Sequence, residues 1–303
     1  MERLEELKKR LLSRCPSLEL RADEPMAKHT TFRIGGPAAL MALPKTQTEA
    51  EAAVQAAREL EIQPFFLGNG SNLLVADSGY PGFLIKLAGE FDQIRASNCT
   101  LEAGSAVLLS RLSNAALEQS LTGMEFAGGI PGSVGGAVTM NAGAYGGEMA
   151  QVLEEVAFLN EEGELCTLPA SECGLDYRTS IFSTGRRLIL KGRFRLEQGD
   201  PEAIKTRMDE LAAQRRAKQP LEYPSAGSMF KRPPGHFAAA LIDQCGLKGL
   251  AVGGAQVSEK HAGFVVNRGG AVCADVLELA RQVQERVLER TGVELEMEVK
   301  VLQ

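Results

Sequence analysis

The chain has no tryptophan, and only 4 tyrosines and 3 histidines among its 303 residues. His29, His236 and His261 are too scattered to converge on a metal ion, which needs several ligands at once. The 6 cysteines, at positions 15, 99, 166, 173, 245 and 273, form no Cys-x-x-Cys pair and have no neighbouring histidine. They read as reduced thiols used mostly for packing. Positive charge is not in excess: a net charge of −6 and a pI near 5.4 exclude a protein that grips a phosphodiester backbone through clustered cations. No apolar run approaches the ~18 residues of a membrane span, and the opening MERLEELKKRLLSRC predicts a charged amphipathic helix rather than a secretion signal. A cytoplasmic location is expected, with neither nucleic acid nor a membrane as partner.

Glycine, by contrast, is plentiful at 32 residues, and much of it is concentrated. Residues 123–147, GMEFAGGIPGSVGGAVTMNAGAYGG, leave almost no side chain between the backbone and whatever lies against it. Such a density fits a backbone that takes positive φ or approaches a ligand closely. Successive exposed N–H groups make concavities suited to phosphate oxygens. A series of tight turns would use glycine equally well, but Met140, Asn141 and Tyr145 add polar and bulky groups that plain turns do not need.

A second such segment, PFFLGNGSNLLVADSGYPGFLIKL, occupies residues 64–87. Residues 65–67 and 73–75 read as two short buried strands, with Gly68, Asn69, Gly70, Ser71 and Asn72 as the turn between them. Asn-Gly is also an ordinary hairpin turn. The spaced glycine fingerprint of a dinucleotide-binding βαβ unit is not met, because Leu73 stands at the third glycine position. Two glycine-rich loops about fifty residues apart point to one extended ligand bearing a pyrophosphate.

Helix and strand signals alternate along the chain. Thr46 and Glu49 make a capping box before a helix whose Ala50, Ala53, Val54, Ala57 and Leu60 share one face. A helix is predicted near residues 108–118. Asp200 followed by Pro201 starts another, with Ile204, Met208 and Leu211 as its buried stripe and Arg215, Arg216 and Lys218 at its end. A helix over 237–244, a strand over 263–267, a helix over 275–290 and a closing strand, LEMEVKVL, complete the reading. The length supports several domains with a cleft. The predicted division is 1–87 (N-terminal helix and first subdomain), 88–200 (second subdomain) and 201–303 (substrate-binding domain), in the α+β class.

Three polar residues stand out. Arg178, in LDYRTSIF, has apolar flanks, and a buried guanidinium suits a carboxylate, although pairing with a neighbouring Asp or Glu is commoner. Ser228 lies in SAGSMFK, where a serine is usually a turn residue. Glu298 alternates with Glu296 and Glu294, so a regular strand would put all three on one face, more often solvated than catalytic.

The order of motifs resembles the UDP-N-acetylenolpyruvoylglucosamine reductase family, flavoenzymes of peptidoglycan precursor synthesis. It is carried by HTTFRIGG at 29–36, LGNGSNLLV at 67–75, GGIPGSVGGAVTMNAGAYGG at 128–147, DYRTSIF at 176–182, KQPLEYPSAGSMFKRPPG at 218–235, GGAQVSEKHAGFVVN at 253–267 and LEMEV at 295–299. The resemblance covers nearly the whole chain. It implies an FAD-binding region in two parts, of the vanillyl-alcohol oxidase-like (PCMH-type) fold, followed by a C-terminal α+β substrate domain.

The family chemistry makes NADPH a co-substrate that reduces FAD and leaves, to be replaced by a sugar nucleotide carrying an enolpyruvyl ether. By resemblance, Gly68, Asn69, Gly70, Ser71 and Asn72 of the first loop would hold FAD. Gly128, Gly132, Ser133, Gly135, Gly136, Asn141, Gly143 and Tyr145 would do so from the second. Arg178 and Glu298 match the pair that steadies the enolate, Ser228 matches the proton donor, and Lys218, Lys231 and Arg232 are placed to bind substrate. Between Ser180 and Asp200 there is no tyrosine and no room for the substrate-clamping insertion of the longer family type, so the chain reads as the shorter, second type. No histidine lies in either glycine loop, so FAD is expected to be non-covalent. Two competing readings are an FAD oxidase of another small substrate and a non-catalytic nucleotide-sugar binder. The binder would be expected to have lost Arg178, Ser228 or Glu298, and all three are kept.

Overall fold

A computed structural model describes residues 2–303. The chain divides into two compact units: Met1–Ala22, Ala39–Asn69 and Gly82–Ala213 make the first, and Asp23–Ala38, Gly70–Pro81 and Gln214–Gln303 the second. The α+β class expected from the sequence is the one seen.

In the first unit, helix α1 (Glu2–Arg14) buries Leu7 and Leu11 on its one apolar stripe. They pack into a cluster with Ala50, Ala53, Val54 and Ala57 of α2 (Gln47–Glu59) and with Phe83 and Ile85. Thr46 caps α2 by accepting from Glu49 N at 3.3 Å. Only half of the predicted capping box forms, because the Glu49 carboxylate reaches past Thr46 to Lys45 N at 2.7 Å and to Ser17 Oγ at 2.8 Å.

The larger core of this unit lies under a five-stranded antiparallel sheet, in the order Leu165–Pro169, Leu153–Leu159, Leu188–Arg195, Thr100–Gly104, Ile94–Ser97. Strand periodicity sends Val156, Phe194, Leu101 and Ala103 inward, while Glu155, Arg193 and Glu102 form an ion-paired row on the other face. Helix α3 (Leu109–Glu118) buries Leu109, Leu112 and Ala116 in the same core. Within the glycine run, where the sequence reading placed no helix, residues Val134–Thr139 form a short helix, α4, that packs on the strand Leu188–Arg195. Val134, Ala137 and Val138 supply its buried side, Gly135 packs so closely on Ser105 that a Cβ would stand 3.0 Å from the serine Cβ, and Gly136 is left exposed.

Helix α5 (Pro201–Lys218) starts where Asp200–Pro201 predicted, with Asp200 accepting from Glu202 N and Ala203 N at 3.3 Å. Ile204 and Leu211 are buried, and Met208 is half-buried.

The second unit has its own core, built by α6 (Ala238–Gln244), α7 (Cys273–Thr291) and an antiparallel sheet of Ala251–Val252, Ala255–Val257 and Val265–Asn267. Phe32, Ile34 and Leu74 join that core. The strand Leu73–Val75 pairs in parallel with Lys300–Leu302.

Two expectations are corrected here. Residues 65–67 and 73–75 do not form a hairpin: Phe65–Phe66 pairs in parallel with Tyr80–Ile85, whereas Leu73–Val75 belongs to another sheet. The turn chemistry of Gly68–Asn72 suits a crossover as well as a hairpin, so local sequence could not separate them. The last strand is also shorter than LEMEVKVL, because only Lys300–Leu302 lies in a ladder and Met297 makes a single bridge with Phe230. Glu294, Glu296 and Glu298 therefore do not share a regular strand face.

Candidate active site

The glycine run of the first unit is met by the start of the first glycine loop. Asn69 Nδ2 donates to the Pro131 carbonyl at 2.7 Å, and the backbone of Gly68 lies against Ser133 and Gly136. Gly132 O accepts from Leu109 N at 3.0 Å, and Val134 N and Gly135 N donate to Val107 O and Ser105 O at 2.8 and 2.9 Å. These bonds hold the run rigidly, as a ligand cradle requires.

Ser133 is 2% exposed, and its hydroxyl has no hydrogen-bond partner in the protein. A buried unsatisfied hydroxyl costs about 1–3 kcal/mol, a cost that a bound acceptor removes. Further along, Asn141 takes a left-handed backbone (φ 41°), and its Oδ1 accepts from Ala150 N at 2.9 Å. The amide oxygen of Asn141 thus shapes the loop. Tyr145 is also left-handed (φ 54°), with its ring exposed.

Arg178 was expected in an apolar stretch. It is half-buried instead, at the tip of a tight turn in which Asp176 and Thr179 exchange N–H···O bonds of 3.1 Å. Its φ of 56° is left-handed, a conformation that costs a non-glycine residue about 1–2 kcal/mol and gathers at functional sites. Its guanidinium lies 5.7 Å from the centre of the Tyr177 ring. The segment that follows is tied to the glycine run at α4: the Thr139 carbonyl accepts from Ser180 Oγ at 2.8 Å and from Ser183 Oγ at 2.9 Å. Thr139 escaped the sequence reading, since a backbone carbonyl leaves no mark on residue type.

In the second unit, HTTFRIGG packs on the rest of the first glycine loop. Thr31 N donates to Gly70 O at 3.2 Å, and Gly70 (φ 62°) lies so close to His29 that a Cβ would stand 2.1 Å from the His29 carbonyl. His29 is itself fixed, with Nε2 2.8 Å from Glu24 Oε1 and only 9% of its side chain exposed. Thr31 Oγ1 reaches Ser225 O at 2.7 Å, and Asn267 Nδ2 reaches Phe32 O at 3.2 Å.

These contacts lead to Ser228, which is half-buried and bridges to Phe264. The next residue, Met229, donates N–H to Gly263 O at 2.8 Å and accepts from Glu298 N at 2.9 Å. The segments of Ser228 and Glu298 are therefore hydrogen-bonded neighbours. Glu298 is half-buried, while Glu294 and Glu296 are exposed. Glu296 forms an ion pair with Lys231, and Arg232 stacks 3.9 Å from the centre of the exposed Phe237 ring. Lys218 is exposed at the end of α5.

The 258–264 loop beside Ser228 is organised by His261, whose Nδ1 accepts from Gly263 N at 3.2 Å. Burial pushes the His261 imidazole below the usual histidine range, with Lys248 adding to the effect, which keeps it the neutral acceptor this bond requires. Burial also raises the Cys273 thiol to about 11, in keeping with a packing role.

The cradle fits the pyrophosphate of FAD: a rigid run with bare, exposed backbone at Gly136, and a buried hydroxyl awaiting an acceptor at Ser133. Residues 38–169 match the family described as FAD binding domain. Together these make the protein an FAD-dependent oxidoreductase. Residues 219–302 match UDP-N-acetylenolpyruvoylglucosamine reductase, C-terminal domain. Reductases of that name from Agathobacter rectalis and Geobacillus thermodenitrificans are 48% and 46% identical to the chain, over 97% and 100% of it and 97% and 99% of their own lengths. The crystal structure of the reductase from Thermus caldophilus matches with a TM-score of 0.81 at 40% identity, covering 94% of this chain and 99% of that one. The chain belongs to the UDP-N-acetylenolpyruvoylglucosamine reductase family. Among the described residues no helix is long and apolar enough to cross a membrane.

Proposed function

We propose that the protein reduces UDP-N-acetylenolpyruvoylglucosamine to UDP-N-acetylmuramate in peptidoglycan precursor synthesis, with NADPH as the reductant. Family membership across the full chain supports the substrate. The observation that carries the chemistry is the pairing of the Ser228 and Glu298 segments through the Met229 carbonyl.

FAD would be held without a covalent link against Gly68, Ser133 and Gly136, and would supply the hydride that the terminal methylene carbon of the enolpyruvyl group receives, with NADPH as the source of the electrons. That carbon becomes a methyl, and negative charge collects on the carboxyl-bearing carbon and its carboxylate. Arg178 and Glu298 stabilise this enolate, the guanidinium by charge and the protonated carboxyl by a donated hydrogen bond. Glu298 must hold a proton for this, because an ionised carboxylate only accepts hydrogen bonds. Ser228 then gives its hydroxyl proton to the carboxyl-bearing carbon, which completes the lactyl ether, and the serine recovers a proton from solvent. A hydroxyl is a weak acid, but a carbanionic enolate is a strong base. Of the binding candidates, Lys218 and Arg232 carry charge toward solvent, where a diphosphate would be met, and Lys231 would first have to leave Glu296.

The test is anaerobic. The purified protein should be yellow, bleach on adding NADPH and recolour on adding the enolpyruvyl sugar nucleotide, and acid precipitation should release the flavin. No response to the sugar nucleotide, with recolouring only once air is admitted, would overturn the assignment.

A further inference from the structure

Asn72, the last residue of the first glycine loop, is bonded to the segment that carries Glu298 through both its side chain and its backbone. Its carboxamide Nδ2 donates to the Glu298 carbonyl at 3.1 Å, and its own carbonyl accepts from Lys300 N at 3.1 Å. The parallel ladder begins only one residue later, with Leu73 opposite Lys300. On the other side, the last bridge to the Ser228 segment is Phe230 with Met297. Residue 298 thus falls in the gap between two regular pairings. Two hydrogen bonds to its backbone span that gap: N–H to Met229 O, and C=O from the Asn72 carboxamide.

The far end of the Asn72 strand is equally fixed. Ala76 N donates to Leu302 O at 2.8 Å, and the Asp77 carboxylate accepts from Cys273 N and Ala274 N at 2.7 and 3.0 Å, closing the first turn of α7. Asn72 therefore projects from a rigid support, and a rigid donor can define where residue 298 sits. A glycine loop that only had to cradle phosphate would have no need to spend its carboxamide N–H on this carbonyl.

We propose that Asn72 is a positioning residue for Glu298: its carboxamide fixes the peptide of residue 298 so that the Glu298 carboxyl meets the enolate formed in the second half of the reaction. This rests on the role given to Glu298 above. The competing assignment makes Asn72 a direct ligand of the cofactor, like the other residues of its loop.

Rapid mixing of the FAD-loaded enzyme separates the two. In FAD-loaded Asn72→Ala, recolouring by the sugar nucleotide should slow roughly three- to tenfold more than bleaching by NADPH does, the loss of one neutral hydrogen bond. Asn72→Asp keeps the shape, removes the donor and sets a carboxylate against the Glu298 carbonyl. It should slow recolouring at least as much, and it gives the same reading should the truncated variant not fold.

The deciding measurement is the double mutant. In a Glu298→Ala background, removing the Asn72 donor should change recolouring by less than about twofold, because the carboxyl it positions is already gone. Equal slowing in both backgrounds overturns the positioning role, and so does an Asn72→Ala enzyme whose defect is loss of FAD. If Glu298→Ala recolours at the parental rate, the role of Glu298 falls first. If Glu298→Ala is slow and the two changes are additive, only the role of Asn72 falls.

Discussion

Gly68 stands against Ser133 so closely that a Cβ on the glycine would lie 2.8 Å from the serine hydroxyl oxygen. The two glycine-rich loops of the sequence, far apart in the chain, therefore meet at one buried polar atom. Since that hydroxyl has no partner in the protein, Ser133→Ala removes an unsatisfied group and should leave thermal stability unchanged or slightly higher. FAD affinity should fall roughly tenfold or more, the worth of about 1.5–3 kcal/mol for a hydrogen bond to a charged group. Titration of apo-protein with FAD alongside a thermal melt checks both. A variant that melts much lower but binds FAD normally would make Ser133 a structural residue.

Ser228→Ala should retain FAD and be bleached by NADPH at the parental rate, because the role proposed for the hydroxyl is confined to the sugar nucleotide. Recolouring by that substrate should slow ~10²–10⁴-fold, the usual loss on removing a positioned acid. Single-turnover absorbance of the flavin reads each half separately. Near-parental recolouring would remove Ser228 from the proton transfer.

The acidic residues near the C-terminus can be ranked by their surroundings. Glu298 is half-buried and held at both backbone atoms, whereas Glu296 is exposed and paired with Lys231. Glu298→Ala should slow recolouring roughly 10²–10³-fold, and Glu298→Gln less, because an amide still donates. Glu294→Gln and Glu296→Gln should stay close to the parent. A crippled Glu296→Gln beside an active Glu298→Ala would mean that the wrong carboxylate has been named.

His261 supplies a pH dependence. Its imidazole is held below the usual range by burial, so between that lowered value and the unfolded value of about 6.5 the unfolded chain binds the proton that the folded protein refuses. Stability should therefore rise with pH through this window and decline as the solution is acidified. Urea midpoints measured from about pH 5 to 8 should show a shallower slope in His261→Gln than in the parent. Identical slopes would mean that the imidazole is not buried enough in solution to matter.

Much of the local structure was legible in the sequence, and for identifiable reasons. Thr46 before the alanine stripe of α2, and Asp200–Pro201 before α5, are chemical signals read within one helical turn, and both helices begin where those residues stand. The pairing of Phe65–Phe66 with Tyr80–Ile85, and of Leu73–Val75 with Lys300–Leu302, was not legible, because short apolar segments carry no address for a distant partner.

The order of motifs was enough to place the chain in a reductase family, since each motif is a local string and their succession survives without any coordinates. Residue type and spacing singled out Arg178, Ser228 and Glu298, and the resemblance turned them into candidates for the chemistry. The choice of Glu298 over Glu294 and Glu296 rested on the resemblance alone, and the tertiary structure supplied its physical basis, a difference in exposure and in backbone partners drawn from Asn72 and Met229. Only the tertiary structure brought Gly68 to Ser133 and the Thr139 carbonyl to Ser180 and Ser183. Hydrogen bonds to backbone atoms depend on where the chain passes, and a passing backbone has the same chemistry whatever its sequence.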